Sequence, residues 1–184
     1  DTTGYDTLVG ASGSLANGGK GFEPIGDFFK GNFDGLGHKI TGLTIDRPNT
    51  NFVGLFSQLD NAELKNVTIE DADITGQDKV GALLGKSWDD DHIENVHITG
   101  DTTVVGQEVV GGLTGSLVFS PDTIIGSSSA GTVKGQRAVG GLVGKLDQSS
   151  IKNSHSTADV QLAGGAAADG FGGLAGLVKS STIE

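Results

Sequence analysis

The chain has no cysteine in 184 residues, only three prolines, one tryptophan and one tyrosine. Without cysteine there is no disulfide, no thiolate zinc site and no thiol nucleophile. So little proline excludes collagen and proline-rich linkers. Few aromatics leave little to stack on a sugar or a base. No apolar run approaches the roughly 18 residues of a membrane helix. No signal-peptide pattern opens the chain at Asp1, so a mature or excised segment is expected. The HExxH, GxSxG and P-loop patterns of common catalytic sites are missing.

Two quantities run high. Glycine accounts for 32 of 184 residues, well above the ordinary share of about 7 per cent. The formal charge is -11 with a pI near 4.6. An acidic surface repels nucleic acid and anionic lipid, so neither partner is expected, and a soluble monomer is. The apolar residues are mostly Val, Ile, Leu and Ala, spread evenly, as in an ordered fold.

The glycines are periodic. Five lines stack: "FVGLFS" from Phe52, "VGALLG" from Val80, "VGGLTG" from Val110, "VGGLVG" from Val139 and "FGGLAG" from Phe171. A second line follows each of the first four: "LKNVTI" from Leu64, "IENVHI" from Ile93, "IIGSSS" from Ile124 and "IKNSHS" from Ile151. A third follows that: "ITGQDKV" from Ile74, "VVGQEVV" from Val104 and "VKGQRAV" from Val133; the fourth copy is replaced by a longer stretch, "QLAGGAAADGF". The apolar segments are too short for helices. Ile93, Val96 and Ile98 alternate with Glu94 and His97, the period-two pattern of a strand. Asn95 breaks that phase and predicts a bend, because asparagine tolerates the left-handed conformation.

Three short strands in about 30 residues, repeated in register, predict an all-β parallel solenoid with one coil per repeat. A coil cannot bury its inner face alone; stacking on the adjacent repeats of the same polypeptide makes the core continuous. One domain is expected over residues 1–184. Residues 1–51 form an N-terminal cap and first coil, and residues 52–184 the repeated coils, the last incomplete and ending at a boundary at Glu184. Leu55, Leu83, Leu113, Leu142 and Leu174 are expected as one buried column. Gly76, Gly106 and Gly135 mark a shared corner. Two amide ladders are expected along the axis, Asn66, Asn95 and Asn153 in one and Gln77, Gln107 and Gln136 in the other, with buried partners.

The five glycine lines resemble the GLUG motif, named for Gly-Leu-any-Gly, with Ala82 and Ser57 as departures. The stretch at residues 21–46 resembles the lead-in to GLUG arrays, and the likeness runs from Gly21 to the end. The resemblance implies a right-handed, pectin-lyase-like β-helix. It also implies a place in large bacterial surface and secreted proteins: adhesins, haemagglutinin-like proteins and the non-catalytic parts of IgA-cleaving metalloendopeptidases. It supplies no catalytic residues.

Candidate sites are sparse. Asp89, Asp90 and Asp91 offer oxygen ligands to calcium, the one cofactor the sequence suggests, but match no calcium-loop spacing; a solvated acidic loop is the simpler expectation. Trp88 beside them reads as a single carbohydrate contact or as an aromatic lid on the corner. His97 and His155 are expected on one outer face, two coils apart and too far to share a metal ion. His38 stands alone in a turn. The function expected is a non-enzymatic stalk or adhesive segment of a secreted or cell-surface protein, whose outside partners are host-cell or matrix glycans or proteins. The alternative is a carbohydrate-binding or carbohydrate-active β-helix with a groove at Trp88 and the Asp89, Asp90, Asp91 corner.

Overall fold

The structure, a computed structural model, describes residues 17–119, 121–164 and 169–184. Strands pair only in parallel within three sheets, of twelve, five and four strands. The coils stack as a β-solenoid of about five turns.

Three apolar columns form the walls of the core. Leu64, Ile93, Ile124, Ile151 and Ile183 pair in succession in the largest sheet. Ile45, Ile74, Val104, Val133 and Val160 do so in the second. Val53, Val80, Val110, Val139 and Phe171 make the third. β-branched side chains suit these positions because they pack well on a pleated surface beside copies of themselves. Each coil is thereby shut by its neighbours.

One full coil runs through His92–Thr99, Thr103–Val105, Glu108–Gly111 and Thr114–Val118. It visits the largest sheet twice, because Leu84–Ser87 and His92–Thr99 both pair with the single long strand Phe56–Glu70. His92–Thr99 bends at Asn95, which has φ +52°, and Asn66, Gly126 and Asn153 hold the same conformation at φ +55°, +59° and +49°. A second left-handed column is made by Phe52, Lys79, Val109, Ala138 and Gly170. This column corrects the alignment read from the sequence. Val53, not Phe52, pairs with Val80, while Phe52 matches Lys79 at the turn, and the offset is absorbed before Phe56 meets Leu84.

The glycines of the repeat do a different job from turning. Gly76, Gly106 and Gly135 have ordinary φ, but a Cβ on them would meet Cγ2 of Val80, Val110 and Val139 at 2.7, 2.7 and 2.8 Å. In the Gly-Leu-any-Gly lines the obstacle is backbone: a Cβ on Gly112 would lie 2.3 Å from the Gly141 carbonyl oxygen, and one on Gly141 2.1 Å from that of Gly173. They are spacers that let main chain lie on main chain.

At one end, residues 20–25 lie across the first coil. Gly21 bridges Ile45 antiparallel, Phe22 N–H donates to the Thr44 carbonyl at 2.8 Å, and Ile25 bridges Phe56. Phe29 and Phe33 pack on Phe56 with ring centroids 5.0 and 5.3 Å away. The part of the expected cap in residues 1–16 lies outside the described residues. Within the leucine column, Leu55, Leu83, Leu113 and Leu142 are buried and Leu174 is half-buried. Leu177, Val178 and Ile183 of the last coil are exposed.

This gradient predicts position-dependent costs. Leu113→Ala should destabilise by about 2–5 kcal/mol, the range for a fully buried leucine, and Leu177→Ala by less than about 1 kcal/mol. Thermal unfolding of the two variants checks this; equal losses would contradict a core closed by stacking.

Candidate functional site

At the corner before His92–Thr99 some inter-coil N–H groups, those of Ala62 and Asp91 among them, bond to side chains rather than to main-chain carbonyls. Side-chain oxygens replace them. The Ala62 N–H donates to Asp91 Oδ1 at 2.8 Å, and the Trp88 N–H to Asp91 Oδ2 at 3.1 Å. The Asp91 N–H donates in turn to Asp122 Oδ1 at 2.9 Å, and the Ser87 hydroxyl to Asp122 Oδ2 at 2.5 Å. Further along the axis the Ser149 N–H donates to Ser181 Oγ at 3.2 Å. Both aspartates are fully buried. Burial pushes the Asp91 carboxyl up to about 7, with Asp122 adding to the rise and the amides of Ala62, Trp88 and Asp89 opposing it. Burial also raises Asp122.

The acidic triplet is therefore split. Asp89 and Asp90 are exposed, while Asp91 is buried and bonded to two main-chain amides. Asp90 instead faces His92 Nε2 at 3.5 Å. The three carboxylates do not converge, because the Ala62 amide holds Asp91 inside while Asp89 and Asp90 stay exposed. Among the described residues no group of three or more His, Cys, Asp or Glu is placed to hold a metal ion.

The Trp88 side chain leaves this corner for an aromatic cluster that its own position does not announce. Its indole N–H donates to Gln58 Oε1 at 2.7 Å. The Phe28 ring centroid lies 5.9 Å from that of Trp88 and the Phe119 centroid 6.2 Å from it, the latter ring near-parallel at 28°. The Lys86 ammonium sits 3.1 Å from the Trp88 ring centroid and 5.2 Å from that of Phe119. Lys86 is buried, and burial first, then Lys79 and Lys145, lower its pKa to about 8. Phe28 and Phe119 escape sequence reasoning because they occupy no repeated position.

The amide columns lie on another edge and are exposed or half-exposed, not buried as expected. Asn95 Nδ2 donates to Asn66 Oδ1 at 2.9 Å, and Asn66 Nδ2 to Asp34 Oδ1 at 3.0 Å. The Asn66 amide is the main cause that holds the Asp34 carboxyl below its usual range. Gly126 interrupts the line before Asn153. Gln77, Gln107 and Gln136 are joined through main chain: the Gln107 N–H donates to the Gln77 carbonyl at 2.7 Å and the Gln136 N–H to that of Gln107 at 2.8 Å.

His97 bridges Ser128 Oγ at 2.8 Å through Nδ1 and Asn95 Oδ1 at 3.0 Å through Nε2. His155 stands opposite Ser128 on the far side, in the column expected for it. An Asn–His–Ser relay suggests a nucleophile, but acyl transfer also needs free N–H donors for an oxyanion. The flanking amides of Ser127 and Ala130 are bonded to Ser154 Oγ and the Ile98 carbonyl.

Two outcomes follow. The folded pKa of Asp91, about 7, lies above the ordinary aspartate value near 3.9. Its contribution to stability is full below about pH 4 and is lost as pH rises through about 7. Subtracting the melting profile of Asp91→Asn from that of the wild type should show this fall between pH 4 and 8; a difference that grows with pH would contradict it. At Asn95, whose φ is +52°, Asn95→Val should lower stability by about 1–2 kcal/mol. Asn95→Gly should leave the melting temperature nearly unchanged, because Gly126 already serves in that column.

Comparison with known proteins matches residues 135–161 to the GLUG motif. Halomucin of Haloquadratum walsbyi is 45% identical over 107 residues, covering 54% of this chain and 1% of Halomucin. A protein of Evansella cellulosilytica, provisionally named a Gly-rich membrane protein, is 38% identical over 81 residues, covering 40% of this chain and 9% of that protein. The chain thus spans a small fraction of these relatives. The crystal structure of a protein from Bacteroides ovatus, provisionally named an immunoglobulin A1 protease, shares the fold with a TM-score of 0.58 at 21% identity, over 82% of this chain and 48% of that one. The likeness carried by the five glycine lines thus has an independent match in the fourth, and residues 135–161 are a GLUG motif within a solenoid of like coils.

Proposed function

We propose that this chain is a non-enzymatic β-solenoid segment of a large cell-surface protein, serving as a stiff acidic rod that supports attachment. The uninterrupted stacking of the three core columns carries this reading. Such a stack resists bending because every coil is bonded to both neighbours along its whole length. The charge of -11 keeps the rod hydrated and away from like-charged surfaces.

The distribution of side chains supports it further. Two clefts among the described residues measure about 150 Å3, beside Glu108, Arg137 and Lys145, and about 160 Å3, beside Glu23, Asp27 and Arg47. Both fall below the roughly 300–1,000 Å3 of small-molecule sites. The names of the relatives, Halomucin and a Gly-rich membrane protein, and the small share of each that this chain spans, favour a repeated segment of a long surface protein.

The test uses intact cells that make the full-length protein. Antibodies raised against residues 52–184 should label unpermeabilised cells, and added protease should remove the signal. Labelling only after lysis would overturn the surface reading. Loss of cell attachment on deleting whole coils, with the rest of the protein still displayed, would support the supporting role.

A further inference from the structure

Phe28, Trp88 and Phe119 form a row on the outside of the solenoid, with centroids 5.9 and 6.2 Å apart. They come from three stretches: the segment lying on the first coil, the corner before Asp91, and the chain beyond Thr114–Val118. Folding gives no reason for the outer two rings. Phe28 is 50% and Phe119 65% exposed, and Phe119 holds φ +82°, where a bulky residue is strained. Only ten residues of the chain are aromatic, eight Phe, one Trp and one Tyr, so three in one row is a concentration.

The row is held before any ligand arrives. Gln58 fixes the indole of Trp88 through its N–H. The Lys86 ammonium, close to both the Trp88 and Phe119 rings, braces the near-parallel pair. Rigid rings lose little freedom on binding.

The surroundings select the ligand. A cation would be repelled by the Lys86 ammonium beside the Trp88 and Phe119 rings, with Lys79 and Lys145 adding to the positive field there. An anion would meet the exposed carboxylates of Asp89 and Asp90 and a chain of net charge -11. An apolar protein face needs about 800 Å2 per partner and would strip water from both carboxylates without replacing it. A neutral polyhydroxylated ligand meets none of these penalties. Its C–H faces complement the exposed faces of Phe28 and Phe119, and its hydroxyls donate to ionised carboxylates in charge-assisted bonds.

We propose that Phe28, Trp88 and Phe119 form a binding platform for a neutral polysaccharide, with Asp89 and Asp90 accepting hydrogen bonds from its hydroxyls. The platform goes beyond the rod reading, which stands without it.

Affinity gel electrophoresis of the 184-residue chain tests it with three neutral probes, hydroxyethylcellulose, mixed-linkage β-glucan and galactomannan, and with anionic alginate and cationic chitosan. Retardation is expected in at least one neutral gel and stronger there than with either charged polymer. Phe119→Ala and Phe28→Ala should each weaken it about tenfold, the scale of one aromatic contact, with melting temperatures unchanged. Asp89→Asn with Asp90→Asn should weaken it to a smaller degree. No retardation in any neutral gel, retardation unchanged in Phe119→Ala and Phe28→Ala, or preference for alginate or chitosan would overturn the proposal.

Discussion

The structure depends on how closely the main chain of one coil lies on the next. At Gly112 and Gly141 the following coil's carbonyl oxygen occupies the place a Cβ would need. Hydrogen side chains there let the turns nest, and the nesting keeps Val80, Val110 and Val139 in one column. A core this thin tolerates no gap between coils, since each buried side chain has its own equivalents above and below as packing partners. The conformational cost is placed elsewhere: Lys79, Val109 and Ala138 take the left-handed turn just before the glycine lines. Val109 is notable among them, because a β-branched residue is unfavourable in that region.

The corners complete the ladder where carbonyls are out of reach. The Val96 N–H is received by Ser127 Oγ at 3.1 Å and the Ala72 N–H by Thr102 Oγ1 at 3.1 Å. Asp91 and Asp122 do the same at the third corner with buried carboxylates. Most of the remaining charge stays at the surface, where pairs such as Lys39 with Glu70 and Lys30 with Asp60 have mostly exposed lysines and contribute little to stability. The protein thus combines a largely apolar centre with an acidic outside.

The repeat, the parallel stacking and the core columns were legible because a solenoid writes each structural position several times. Leu113 and Leu142 are buried as their recurrence requires. What recurrence cannot show is the direction of a side chain at a corner. Asp91 reads as the third acid of a solvated loop, yet an amide 29 residues earlier in the sequence draws it inside. Asn66 and Asn95 are joined by a side-chain hydrogen bond along the axis, but the bend carries these side chains to the surface, which recurrence alone does not reveal. Phe28 and Phe119 left no signal at all. Neither sits at a repeated position, and only the fold brings them beside Trp88.

The glycines of the Gly-Leu-any-Gly lines, such as Gly112 and Gly141, are spacers, whereas Gly126 serves a turn. Thermal unfolding of Gly141→Ala against Gly126→Asn separates the two. Gly126 has φ +59° and open space beside it, and asparagine fills that column in other coils, so Gly126→Asn should melt within a degree or so of the wild type, well inside the usual range for surface changes. Gly141→Ala should lose at least about 2 kcal/mol, from overpacking against backbone that cannot move without breaking the ladder. A wild-type melting temperature for Gly141→Ala would contradict the account.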